Sequence, residues 1–303
     1  MKKKFIMMTM VLSLALTACG ANATSTDNTE SGQAESGVSS DVVDSENDTN
    51  EDVADDSEEI DYDALAQEIV AKVNAIPKQG VSLKEELEQV ATLEAMYSDI
   101  SAETQVEMTA VASLGAQVWD AELNSLWRRI SNEFEESKKE EVLAEQRKWN
   151  GIKETAASGM TIMYEGGSIQ PQIYNMELAE ILKNRCYILA SIYGESKGET
   201  VAIPTRSEYG AYVDNQDTND VYSALYIYEG MESGSVGVEI EIYRLSSWMG
   251  YAEKNGDGYD FVSDDDTLKG TITYGNDGAT FTVTESTNDL VSAGETFEFP
   301  WAL

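Results

Sequence analysis

The sequence predicts an α+β, multidomain chain: an N-terminal up-down helical bundle followed by an antiparallel all-β meander, closed as a small barrel or a sandwich. Three observations carry this. Apolar residues recur every three or four positions through residues 61–195, the period of a helix with one buried face. From about residue 200 the period becomes two, and turn signals separate the alternating runs. Charge divides at the same places. Residues 20–71 hold 16 acids and no base, the helical stretch is mixed, and residues 199–303 hold 20 acids against four bases.

Ahead of the folded part, Lys2, Lys3 and Lys4 precede the apolar run Phe5–Leu16, which is too short to span a membrane and suits an export signal. The run ends in Leu16-Thr17-Ala18-Cys19, small residues before a cysteine, and this resembles a bacterial lipobox. That similarity implies cleavage after residue 18, a lipid on Cys19, and a protein anchored on the extracytoplasmic face of the cell membrane. Residues 19–60 are acidic and polar, with nothing to bury, so a disordered tether is expected. With Cys19 acylated, Cys186 is the one thiol left, and no intrachain disulfide can form. Cys186 itself reads as a small core residue.

Within 61–195 the helices follow from spacing. Ser82-Leu83-Lys84-Glu85 and Ser137-Lys138-Lys139-Glu140 have the capping-box pattern. A long helix is predicted over Ala102–Phe134, with the stripe Trp119, Leu123, Leu126, Ile130, Phe134. A second carries Val142, Gln146, Trp149, Ile152, Ala156, Met160 and Met163. A third carries Leu178, Leu182, Cys186, Leu189 and Ile192. Gly166-Gly167 and Pro171 punctuate the last two, and short connections imply antiparallel neighbours.

Polar residues sit beside these stripes. Asp120 and Asn124 lie one turn apart, Gln146 and Trp149 on the next helix, and Arg185 on the last. They form either an interhelical hydrogen-bond network that fixes register or a face for a partner. The ordered set Thr104-Gln105-x-Glu107-Met108, Trp119-Asp120-Ala121-Glu122-Leu123-Asn124, Leu143-Ala144-Glu145-Gln146-Arg147-Lys148-Trp149, Glu165-Gly166-Gly167-Ser168 and Arg185 resembles the lysozyme inhibitor LprI-like family over about residues 100–195. The resemblance implies an envelope protein, often a lipoprotein, that inhibits lysozyme. Family members often carry a cysteine pair near the positions of Ala157 and Met176, and an asparagine where Thr109 stands.

The β half runs over residues 200–303, with seven or eight strands in succession. Asn276-Asp277-Gly278 is the strongest hairpin signal, and Asn255-Gly256-Asp257-Gly258 and Glu232-Ser233-Gly234 mark further turns. Asp257, Asp260 and Asp264-Asp265-Asp266 could offer oxygen to calcium, but the EF-hand glutamate is missing, and solvated turns are the expectation. Tyr222, Tyr226, Tyr228, Tyr243 and Tyr251 either line a ligand face or pack.

For function, the formal net charge of −36 disfavours nucleic acid and anionic lipid surfaces. The absence of histidine removes Ser-His-Asp and Cys-His chemistry. No motif selects a catalytic pair of carboxylates, so no enzyme, cofactor or metal site is expected. The expected activity, resting on the resemblance and on acidic charge that would steer a basic partner, is binding of a cationic, lysozyme-type protein and occlusion of its cleft. Glu165, Gly166, Gly167 and Ser168 are the candidate contact, against the plainer reading of a helix cap and turn. A general envelope module holding glycan, peptidoglycan or protein is the alternative.

Overall fold

The computed structural model describes residues 60–216, 221–230 and 235–303. The signal over 1–18, Cys19, nearly all of the tether 19–60 and the turn at 232–234 lie outside the described residues.

Five helices come first. α1 (Tyr62–Val73) starts where the Asp61 side chain accepts a hydrogen bond from the Ala64 N–H at 2.9 Å. α2 (Leu83–Ser98) starts at the predicted capping box, with Ser82 and Glu85 each satisfying the other's backbone N–H. α3 (Gln105–Glu133) starts at a second box, Thr104 with Glu107, so the first piece of the family-like motif is a helix start. α4 (Glu136–Gly159) departs from expectation, because Ser137 and Glu140 are already inside the helix and form no box. Its cap is Glu135, without a side-chain bond, because the chain reverses through only two extended residues, Phe134 and Glu135. Met163, predicted on the α4 stripe, is exposed, since the helix has ended four residues earlier. α5 (Gln170–Lys197) has Pro171 in its first turn and Gly198 at its end.

The order is up-down, yet the closest partners include a parallel pair. Gln105 donates to Gln172 at 2.9 Å, the Cys186 thiol to the Trp119 carbonyl at 3.3 Å, and the Tyr193 hydroxyl to Glu133 at 2.8 Å. These partners advance together along α3 and α5. Small residues allow the approach: a methyl on Gly115 would lie 3.9 Å from the Ala179 side chain. Trp119, Leu126, Ile130, Leu189 and Cys186 are fully enclosed between these helices and their neighbours.

Nine strands follow among the described residues: β1 (Gly210–Asp214), β2 (Ser223–Glu229), β3 (Val236–Ile242), β4 (Ser246–Asn255), β5 (Gly258–Ser263), β6 (Leu268–Gly275), β7 (Gly278–Ser286), β8 (Thr296–Phe299) and β9 (Trp301–Ala302). All pairings are antiparallel, in the order β8-β7-β6-β5-β4-β3-β2-β1-β9. β8 pairs with β7 while β9, one residue further on, pairs with β1, so the last stretch of chain joins the two ends of the sheet into a nearly closed barrel. Pro300, which has no N–H to give a ladder, marks the switch. The predicted hairpins form, with Asn276-Asp277 and Gly256-Asp257 as two-residue loops.

Alternation explains the cores. Tyr212, Leu225, Ile227, Val238, Ile240, Phe261, Ile272, Phe281 and Phe299 fill the barrel. The opposite faces of β1 and β2, through Ala211, Val213, Ala224, Tyr226 and Tyr228, join the helical core instead. Both strands are therefore buried on two faces, which an isolated antiparallel barrel would not require. At the last residue of α4, a Cβ on Gly159 would fall 2.1 Å from the Tyr226 ring, so only glycine leaves the ring its place. Residues 61–195 and 200–303 thus differ in secondary structure but share one core, within a single unit from Glu58 to Leu303. Folding the two halves separately would leave that shared face bare.

Candidate functional site

The motif residues divide into a buried set and an exposed pair. Leu123 and Trp149 are core residues, 6% and 3% exposed. Arg185, 2% exposed, crosses from α5 to α4: its Nε donates to Gln146 Oε1 at 2.8 Å and its Nη1 to Glu145 Oε1 at 2.6 Å. The guanidinium carbon stands 5.7 Å from the centre of the Trp149 ring. Asp120 and Asn124 do not join this cluster. They face solvent on α3 and pair with each other, Asn124 Nδ2 donating to the Asp120 carboxylate and carbonyl at 2.9 Å. The single network expected from sequence is therefore one buried bridge plus one local surface pair, because α3 turns Leu123 inward and so turns Asn124 out.

This fixes the ranking of two substitutions. Arg185→Ala strands the buried Gln146 acceptor and should lower unfolding stability by about 1–3 kcal/mol. Asn124→Leu, at an exposed position, should change it by no more than about 0.5 kcal/mol. Urea unfolding of both variants measures the difference; equal losses would mean that Asn124 carries a buried role.

A second buried cluster starts from Glu122 of the same motif. Glu86 of α2 and Glu122 of α3 are 2% and 0% exposed, with Arg129 between them. Arg129 forks onto Glu86 through both terminal nitrogens, one bond being 2.9 Å, and reaches Glu122 at 3.4 Å. One cation faces two carboxyls. Burial first, then the neighbouring Glu86 charge, pushes the Glu122 carboxyl well above the usual range. In its protonated form Glu122 can donate its O–H to Glu86. A sequence signal existed: Glu86 lies on the stripe Leu83, Leu87, Val90, and Glu122 with Arg129 beside Trp119, Leu126 and Ile130.

The connection from α4 to α5 is the protruding element. Glu165, Gly166, Gly167 and Ser168 are all exposed, and so are Met163, Tyr164 and Ile169 around them, at 40–43%. Gly166 sits at φ +73°, and its N–H donates to Gln170 Oε1 at 3.0 Å. The Gly167 N–H closes the turn on the Tyr164 carbonyl at 2.9 Å. Val106, 79% exposed, stands near this end because Gln105 holds the start of α3 to the first turn of α5. The loop is a cap and turn by its bonds, and an exposed tip with apolar residues by its surface.

The acidic turns build themselves. Asp260 accepts from Asn255 Nδ2 at 2.9 and 3.0 Å, and Asp265 from the hydroxyls of Ser263 and Thr267 at 2.7 and 2.8 Å. Among the described residues, no three Asp, Glu or Cys side chains group as metal ligands. Cys186 is enclosed, and burial pushes its thiol well up, as suits a core residue. Among the described residues no helix is long and apolar enough to cross a membrane.

These elements define a helical bundle with internal polar bridges that shares a core with a barrel. Residues 95–189, about a third of the chain, match the family described as Lysozyme inhibitor LprI. The match spans α3, α4, the tip and most of α5, including Arg129, Gln146, Trp149 and Arg185, in agreement with the resemblance read from the motifs. No curated protein and no solved structure matches the chain.

Proposed function

We propose that this chain is a lipid-anchored extracytoplasmic protein, held through Cys19, that binds a cationic lysozyme-type enzyme and blocks its cleft by occlusion, doing no chemistry itself. The observation that carries the reading is the Lysozyme inhibitor LprI match over 95–189, inside which Glu165–Ser168 forms an exposed tip. A short loop flanked by Met163, Tyr164 and Ile169 supplies apolar contact, Glu165 and Ser168 supply hydrogen bonds, and two glycines permit close backbone approach. A net charge of −36 favours encounter with a basic enzyme.

The test is a turbidity assay with the soluble fragment from residue 60 onward, against several lysozyme types. Inhibition should appear, and association should slow as salt rises. Changing Glu165, Gly166 and Ser168 together to Ala, with folding confirmed by circular dichroism, should weaken inhibition about tenfold or more, the loss of about 1.4 kcal/mol of binding. Equal inhibition by the two proteins removes the tip from the mechanism. No inhibition by the wild-type fragment of any lysozyme would falsify the reading as a whole.

A further inference from the structure

Where the bundle meets the barrel, a cavity of about 230 Å³ opens between α4, α5 and the β6–β7 and β8–β9 connections. Trp149, Asn184 and Arg185 line it from the helices, and Asn276, Asp277 and Trp301 from the barrel. We propose that this cavity is a saccharide site that takes one N-acylated sugar ring. The proposal is independent of the tip and of the lysozyme reading.

Arg185 provides the pointer to a ligand. Its side chain is 2% exposed, two of its nitrogens are used by Gln146 and Glu145, and Nη2 has no protein partner. A buried guanidinium donor left over beside a cavity is costly unless an acceptor arrives. That acceptor is neutral. Glu145 at 2.6 Å already balances the Arg185 charge, and Asp277 adds a further negative charge to the lining, so an anion would be opposed. A carbonyl oxygen of an N-acyl group satisfies Nη2 without adding charge.

The rest of the lining fits the body of such a ligand. Trp301 pairs in register with Val213, whose side chain faces the helices, so the indole stands on the seam side of β9 and is partly buried there. The apolar C–H face of a pyranose can pack on such a ring. Asn184, Asn276 and Asp277 supply donors and acceptors for its hydroxyl edge. The volume lies below the roughly 300–1,000 Å³ of cavities for drug-sized ligands, which points to a single ring inside and any further ring at the mouth.

The experiment is titration of the fragment from residue 60 onward with the disaccharide of N-acetylglucosamine, with cellobiose and with acetate, following the indole N–H signals by two-dimensional NMR. The Trp301 signal is assigned by its loss in Trp301→Phe. The expected result is a saturable shift of the Trp301 signal with the N-acetylated sugar, weaker by about tenfold with cellobiose. Asn184→Ala, which leaves both tryptophans in place, should weaken the same response several-fold without altering the melting temperature. Equal responses to the two disaccharides would overturn the acyl contact to Arg185. A response to acetate alone would overturn the sugar and leave an anion site. No shift of Trp301 at tens of millimolar sugar would overturn the site.

Discussion

Arg129→Met should destabilise the protein by about 3–5 kcal/mol at pH 7, enough to consume much of the stability of an ordinary domain. Glu86 is 2% exposed and has its carboxylate held by both terminal nitrogens of Arg129. Methionine fills the volume of the stem but leaves that carboxylate buried without a counterion. Urea unfolding at pH 7 measures the loss. A variant as stable as wild type at pH 7 would show that solvent, not Arg129, satisfies Glu86.

Glu122 responds with the opposite sense to an ordinary paired carboxylate. Burial, aided by the Glu86 charge, raises its pKa in the folded state above that of the unfolded chain. The stability it contributes is therefore whole below the unfolded carboxyl value of about 4.3, and is lost as pH rises through the folded value. Glu122→Gln keeps a donor towards Glu86 without a titrating proton. The variant should match wild type within about 1 kcal/mol near pH 4 and lack the decline that wild type shows as pH rises from there.

The legible parts of the sequence were those governed by local rules. Ser82 with Glu85, the 3.6-residue stripes and the Asn276-Asp277-Gly278 hairpin each need only a few adjacent residues, and each forms. The family-like motif was legible as a set, while its geometry was not. Asp120, Asn124, Gln146 and Arg185 looked alike as polar residues beside stripes, and only the rotation of α3 decides that Asn124 faces water while Arg185 is enclosed. The Glu86–Glu122–Arg129 cluster was hidden because charged residues on an apolar stripe suggest a stripe edge until a second helix supplies the partner. The cavity at Arg185 needs Asn276 and Trp301, residues some 90–120 positions away, and no local pattern announces such a meeting. The shared core was obscured by the change of period near residue 200, which signals new secondary structure and says nothing of whether two structures bury a common face.

That common face sets the second large effect. Tyr226→Ala should destabilise by about 3–5 kcal/mol, the range for removing a large aromatic side chain from a core, and should loosen helices and strands together. Tyr226 is 2% exposed, lies on the outer face of β2, and fits over Gly159 at the end of α4. Gly159→Ala attacks the same contact from the other side, since the added methyl would enter the ring's place and force α4 and β2 apart. The two changes meet in one spot, so the pair Gly159→Ala/Tyr226→Ala should cost less than the sum of the singles, a coupling of about 0.5–3 kcal/mol. Thermal melts followed at 222 nm for helix and by near-ultraviolet tyrosine and tryptophan signals should coincide in wild type, because one core serves both halves. A helical transition well separated from the barrel's in the wild-type protein, together with additive losses in the double variant, would mean that the seam is a passive contact between two independently folding halves.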